Sequence, residues 1–205
     1  MTDALAYRVV PVVVVEDAAT AEPLGQAMVA GGLPVAEVTF RTAAAADAIA
    51  AMSQVEGLLV GAGTVVSADQ VDQAIAAGAQ FIVSPGLRAD VVRRAQVARV
   101  PVVPGAVTPS EIMEAKALGL DTVKFFPAST YGGAKAIRAL SAPFAGMRFV
   151  PTGGVSLDNL ADYLSLPCVP AVGGSWMVPP ALVTAGDYEQ VSRLCAEAVA
   201  AAAAC

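Results

Sequence analysis

The chain has 205 residues, 56% of them apolar and only 15% charged, and a net charge of −6. That suits one domain spanning 1–205 with a large core, while the acidic balance and the lack of any basic cluster with interleaved aromatics exclude nucleic acid as a partner. There is no histidine, which removes imidazole-ligated zinc sites and Ser-His or Cys-His nucleophiles, and leaves acid–base work to carboxylate, lysine, tyrosine or cysteine.

From the N terminus, Met1-Thr2-Asp3-Ala4 has neither the basic nor the apolar region of a signal peptide. The β-branched run Val9–Val15 is the first strand candidate, followed by a helix near Ala18–Ala30. The second strand, Ala36–Phe40, lies within Val35-Ala36-Glu37-Val38-Thr39-Phe40-Arg41. Alternation puts Glu37, Thr39 and Arg41 on one face and Ala36, Val38 and Phe40 on the other. One reading is a Glu37–Arg41 ion pair on an exposed edge. The other sets Glu37 beside a buried amine, with Arg41 holding a carboxylate by a bidentate contact.

A helix over Ala43–Met52, with Thr42 as N-cap, leads to a strand at Leu58–Gly61. The segment Gly61-Ala62-Gly63-Thr64 lacks the third glycine of a dinucleotide fingerprint. Thr64 there either offers its hydroxyl to a small anion or begins a turn. Ser67 opens the helix Ala68–Ala77, with Gln70 at capping-box spacing and Gly78 as the stop. The strand Phe81–Ser84 runs into Ser84-Pro85-Gly86, a pocket floor or a simple turn. The helix Ala89–Ala98, the strand Val100–Val103 and the helix Pro109–Leu118 follow, the last with Thr108 and Glu111 at capping-box spacing and Gly119 beyond it.

The sixth strand, Thr122–Phe125, lies in Thr122-Val123-Lys124-Phe125-Phe126-Pro127, where one cation interrupts an apolar run. The chain has three lysines, and Lys116 and Lys135 fall on predicted helix surfaces. An ammonium buried without a partner is costly and tends to shed its proton, and a neutral amine in an apolar pocket attacks carbonyl carbon. Lys124 is therefore expected to form a Schiff base.

The remaining elements are a helix at Gly133–Ala139, a strand at Phe149–Pro151, a helix at Leu157–Leu164 capped by Ser156, a strand at Ala171–Gly173 and a helix at Tyr188–Ala203. The last two strands run into Gly153-Gly154 and Gly173-Gly174. Paired glycines leave backbone N–H groups accessible, and the loops after strands seven and eight hold phosphate in many barrels. No GxxxxGK[ST] motif marks a nucleoside triphosphate site, and no clustered carboxylates invite Mg²⁺. The tail from Ala196 to Cys205 still contains Glu197, so no uninterrupted apolar run of membrane-spanning length is present. Cys168, Cys195 and Cys205 are odd in number and form no CxxC pair, and read as reduced thiols in a cytoplasmic protein. Eight strands alternating with eight helices predict a single-domain (β/α)8 TIM barrel, with a doubly wound open sheet as the alternative.

Assembled, these residues closely resemble the 2-keto-3-deoxy-6-phosphogluconate (KDPG) and 4-hydroxy-2-oxoglutarate aldolase family. The likeness is carried by Pro11-Val12-Val13-Val14-Val15, Glu37-Val38-Thr39-Phe40-Arg41-Thr42, Gly61-Ala62-Gly63-Thr64-Val65 and Ser84-Pro85-Gly86-Leu87. It continues through Val123-Lys124-Phe125-Phe126-Pro127-Ala128, Pro151-Thr152-Gly153-Gly154-Val155 and Gly173-Gly174-Ser175-Trp176. The resemblance implies a homotrimeric class I aldolase barrel with no metal or organic cofactor. It implies Lys124 as the Schiff-base lysine and Glu37 as the general acid/base. Arg41 and Thr64 match residues that bind the pyruvate carboxylate, and Gly153, Gly154, Gly174 and Ser175 match phosphate-holding loops. Phe126, Pro85 and Thr152 match the pocket lining.

The expected reaction is reversible cleavage of KDPG to pyruvate and glyceraldehyde 3-phosphate. The departures at Ala128-Ser129-Thr130-Tyr131 and Gly105-Ala106-Val107-Thr108 bear on preference among sugar-acid epimers. Alternatives are an aldolase for 4-hydroxy-2-oxoglutarate or 2-keto-3-deoxy-6-phosphogalactonate, a phosphate-binding isomerase or synthase barrel without a covalent lysine, and a non-catalytic assembly subunit.

Overall fold

The computed structural model describes residues 2–205, so Met1 of the expected 1–205 domain lies outside the described residues. Eight strands run through it: β1 (Val9–Val13), β2 (Val35–Thr39), β3 (Leu59–Gly63), β4 (Ile82–Val83), β5 (Val102–Val103), β6 (Thr122–Phe125), β7 (Arg148–Pro151) and β8 (Val172–Gly174). Ten helices accompany them: α1 (Thr2–Ala6), α2 (Ala21–Ala30), α3 (Ala45–Met52), α4 (Ala68–Ala76), α5 (Ala89–Val97), α6 (Pro109–Ala117), α7 (Gly133–Ser141), α8 (Leu160–Leu164), α9 (Pro180–Ala185) and α10 (Tyr188–Ala203).

All strand pairs are parallel. Six strands form one sheet in the order β5-β4-β3-β2-β1-β8, and β6 pairs with β7 in a second. An isolated bridge joins Gly105, just past β5, to Lys124 in β6, and another joins Thr152, just past β7, to Gly173 in β8. With β1 between β2 and β8, the strand order is not that of a doubly wound open sheet.

Val is the commonest residue of the strands, and β1, β2 and β6 are buried along their whole length. This is the pattern of parallel strands covered on both faces. Phe125 and Phe149 on the paired strands β6 and β7 meet edge to face, with ring centroids 6.5 Å apart. At the N-terminal end of the same pair, Arg148 Nη2 donates to both oxygens of Asp121 at 2.9 and 3.0 Å, and Thr122 Oγ1 donates to one of them at 2.7 Å. The Thr122 hydroxyl and the Arg148 guanidinium hold the Asp121 carboxyl below its ordinary value. Among the described residues no helix is long and apolar enough to cross a membrane.

Two helices go beyond the sequence reading. The five residues of α1 and the six of α9 are too short to present a periodic apolar stripe. Two expected caps are corrected. Thr42 Oγ1 donates to Val15 O at 2.6 Å, two residues past the end of β1, and α3 starts at Ala45 without a side-chain cap. Ser156 likewise caps nothing; its N–H donates to Asn159 Oδ1 at 2.9 Å, and α8 begins three residues later than its apolar pattern suggests. Ser67 caps α4, Thr108 and Glu111 form a reciprocal capping box on α6, and Gly78 and Gly119 take positive φ past their helices.

The C-terminal helix α10 buries Val191, Cys195, Ala198 and Ala202 on one face. Burial pushes the Cys195 thiol up from 9.0 to about 12, so it stays neutral where a free thiol ionises. Its contribution to stability is then complete below about 9 and is lost as pH rises through about 12. Iodoacetamide at pH 8 should label exposed Cys205 in the native protein and reach Cys195 only after unfolding; native-state labelling of Cys195, read by peptide mass, would contradict this packing.

Candidate active site

The parallel register sets Glu37 on β2 opposite Val12 on β1 and Gly61 on β3. Lys124 on β6 faces Val150 on β7, with its backbone bridged to Gly105. Although β2 and β6 share no ladder, both side chains enter the space between the strands and meet there. Lys124 Nζ donates to Glu37 Oε1 at 2.9 Å. Lys124 is 5% and Glu37 3% exposed, and among the described residues they are the only buried charged side chains. Burying either alone would be far costlier than burying the pair, and removing one partner from such a pair costs about 3–5 kcal/mol. The Phe126 ring closes one side, its centroid 5.3 Å from Lys124 Nζ.

The glycines of β3 make this possible. A Cβ on Gly61 would overlap the Phe81 ring, and one on Gly63 would overlap the Glu37 carboxyl group. The Gly-Ala-Gly sequence is therefore room for neighbouring side chains rather than part of a nucleotide loop. The 2.9 Å contact is short enough for a proton to pass directly between the nitrogen and the carboxylate.

A cavity of about 200 Å³ opens at the C-terminal ends of the strands, lined by Val12, Arg41, Phe126 and Thr152, by Gly153, Gly154 and Val155 past β7, and by Gly174 and Ser175 at the end of β8. Lys124 and Glu37 lie buried off its lining, and Phe126 belongs both to the cavity and to the surroundings of the amine. Gly153 and Gly154 have φ of +91° and +75°, and a Cβ on Gly154 would run into Ser129. Asn159 pins the turn, donating Nδ2–H to Gly154 O at 2.8 Å and accepting from Ser156 N–H at 2.9 Å. Arg41 sits at the rim with Nε donating to Thr39 Oγ1 at 3.1 Å, and among the described residues it has no carboxylate partner. A free guanidinium on one wall and glycine-rich turns on another suit a ligand with two separated anionic groups.

The structure thus gathers Arg41, Phe126, Thr152, Gly153, Gly154, Gly174 and Ser175 around one cavity and joins Lys124 to Glu37 nearby. The exposed-edge Glu37–Arg41 ion pair is overturned, since Glu37 is buried against Lys124. Two expected pocket residues stand apart. Thr64 is half-buried off the lining, at φ +56°, a left-handed conformation costly for a β-branched side chain. Pro85 lies in a separate depression with Val65, Val66, Gly86, Leu87 and Arg88, in a turn closed by Ser84 Oγ donating to Gly86 O at 2.6 Å. Val12 and Val155 line the cavity unannounced by sequence, because an aliphatic side chain carries no chemical signal there. Only the register of Val12 opposite Glu37 marks it. Among the described residues no three His, Cys, Asp or Glu side chains converge to hold a metal ion.

A family model described as "Aldolase: KDPG and KHG aldolase" matches residues 3–194. The chain is 50% identical over 188 residues to the 2-dehydro-3-deoxy-phosphogluconate aldolase of Treponema pallidum, covering 91% of this chain and 90% of the relative. It superposes on the 2-keto-3-deoxy-6-phosphogluconate aldolase of Zymomonas mobilis ZM4, crystallised with 3-phosphoglycerate, at a TM-score of 0.92 and 42% identity, over 97% and 94% of the two chains. It also matches the KDPG aldolase of Legionella pneumophila, with pyruvate captured at low pH as a covalent carbinolamine intermediate, at a TM-score of 0.91 and 38% identity, over 95% of each chain.

The space left by Gly63 gives a geometric test. In a crystal structure of Gly63→Ala, the added methyl should drive the Glu37 carboxylate out of hydrogen-bond reach of Lys124 while the strands keep their register. An unchanged Lys124–Glu37 contact would show that the glycine is not what admits the carboxylate.

Proposed function

The chain belongs to the KDPG and KHG aldolase family, and from that premise we propose that it is a class I aldolase cleaving 2-keto-3-deoxy-6-phosphogluconate to pyruvate and glyceraldehyde 3-phosphate through a Schiff base on Lys124. One observation carries this reading: a buried Lys124 Nζ 2.9 Å from Glu37 Oε1, beside a cavity with a free guanidinium, a glycine turn after β7 and the glycine end of β8. The carbinolamine of pyruvate in the Legionella pneumophila relative supports the covalent route.

In this mechanism the substrate carboxylate lies against Arg41, and its phosphate against the turns at Gly153-Gly154 and Gly174-Ser175. Proton transfer from Lys124 to Glu37 frees the amine, which attacks the C2 ketone. The carbinolamine takes the proton back from Glu37 as its hydroxyl leaves as water, giving the iminium and returning Glu37 to carboxylate. Glu37 then accepts the C4 hydroxyl proton, the C3–C4 bond breaks, and its electron pair flows into the iminium to form an enamine while glyceraldehyde 3-phosphate departs. Glu37 returns its proton to C3, and water hydrolyses the resulting iminium to pyruvate and free Lys124. One carboxylate in contact with the nitrogen serves every proton transfer in turn.

The reading includes one (β/α)8 barrel domain whose eight strands close through the bridges at Gly105–Lys124 and Thr152–Gly173, for which those bridges are the support. It includes a homotrimer in the cytoplasm, supported by the sequence resemblance and by three free cysteines. An isomerase or synthase using only the glycine turns, or an assembly subunit, would leave the buried Lys124–Glu37 pair without a role.

Pyruvate release from 2-keto-3-deoxy-6-phosphogluconate tests the assignment. Lys124→Ala should abolish turnover, and Glu37→Gln should slow it by roughly 10²–10⁴, the range for a positioned acid–base group. Turnover surviving in Lys124→Ala would refute the Schiff base, and a Glu37→Gln effect below about tenfold would move proton transfer to another group.

A further inference from the structure

A guanidinium at the end of a flexible stem binds a carboxylate well only if its planar edge is already aimed. One hydroxyl supplies that aim for Arg41. Thr39 Oγ1 donates to Val13 O at 3.0 Å, and the same oxygen accepts from Arg41 Nε at 3.1 Å. A threonine hydroxyl has a single proton. Here that proton goes to a carbonyl, which can only accept, so lone pairs alone face Arg41. Thr39 is fully buried, paired in register with Gly63 and away from competing water. The contact uses the Nε–H and, among the described residues, leaves the Nη1/Nη2 edge of Arg41 without a protein partner at the cavity.

We propose that Thr39 is a positioning residue for the reaction: its hydroxyl relays the fixed carbonyl of Val13 to Arg41 and orients the guanidinium toward the substrate carboxylate. This rests on the reading of Arg41 as the carboxylate-binding group. Thr42, on the other side of Arg41, donates to Val15 O at 2.6 Å. Both hydroxyls tie this stretch to the β1 segment, but only Thr39 touches the guanidinium.

Steady-state kinetics of KDPG cleavage in Thr39→Val, Thr39→Ala, Thr39→Ser and Arg41→Met separate orientation from scaffolding. Removing the hydroxyl in Thr39→Val, nearly the same volume, should raise KM roughly ten- to hundredfold with a smaller change in kcat, the scale of one hydrogen bond to a charged group. Thr39→Ala reads the same loss if the valine variant does not fold. Thr39→Ser keeps the relay and should stay within about twofold of the parent KM. In the Arg41→Met background, adding Thr39→Val should raise KM no further, because the two residues act as a unit. A parent-like KM in Thr39→Val, equal impairment in Thr39→Ser, or additive effects in the double variant would each overturn the proposal. If Arg41→Met itself leaves KM unchanged, the carboxylate-binding reading fails and the role of Thr39 falls with it. If Arg41→Met raises KM and the Thr39 variants do not, only the relay is lost.

Discussion

A lysine nitrogen held 2.9 Å from a carboxylate oxygen, with both side chains almost wholly out of water, is the constraint on which the rest of the structure depends. Neither charge would be tolerated there alone. The two residues stand on strands that share no ladder, so their meeting requires β2 and β6 to face each other across a common interior. It also requires an empty volume beside the carboxylate, which Gly63 provides, and a ring against the amine, which Phe126 provides. Gly63 and the aromatic residue after β6 both make way for this one ion pair.

The cavity has a different character. Its polar groups come from the ends of strands and from turns: a guanidinium after β2, glycine backbone after β7 and the Gly174-Ser175 step at β8. The buried pair is fixed by the packing of whole strands, whereas the rim is fixed locally by single hydrogen bonds such as Asn159 to Gly154 and Thr39 to Arg41. On the aldolase reading this division matches the chemistry. The covalent step, common to any 2-keto acid, occupies the buried interior, and recognition of the two anionic ends occupies the rim.

Much of this was readable in the sequence, for particular reasons. Lys124 announced itself because a cation in an apolar strand must find a partner or lose its charge, and β6 matches its predicted span, Thr122–Phe125. Glu37 followed from strict alternation in a strand whose other face is apolar. The paired glycines at 153–154 pointed to a turn, which their positive φ bears out, whereas Gly173 and Gly174 lie within β8 rather than in a turn beyond it. What was not readable depended on packing. Val12 and Val155 bring shape but no chemistry to the cavity. Thr42 has the residue type of a cap, yet its hydroxyl bonds to the carbonyl of Val15, just past β1 and distant in sequence. The glycines of β3 resembled half a nucleotide motif because their purpose, room for Phe81 and Glu37, exists only once other strands are placed. Thr64 and Pro85 stand where their strand ends predicted, but off the cavity lining, since turn geometry rather than strand position decides which way a loop residue faces.

On the aldolase reading, one of the three lysines is a nucleophile and the other two are surface cations. Borohydride reduction of the wild-type protein in the presence of pyruvate, followed by peptide mapping, tests it directly. A single reduced pyruvyl adduct is expected on the peptide containing Lys124, with Lys116 and Lys135 unmodified. No adduct, or an adduct carried by either of the exposed lysines, would contradict it.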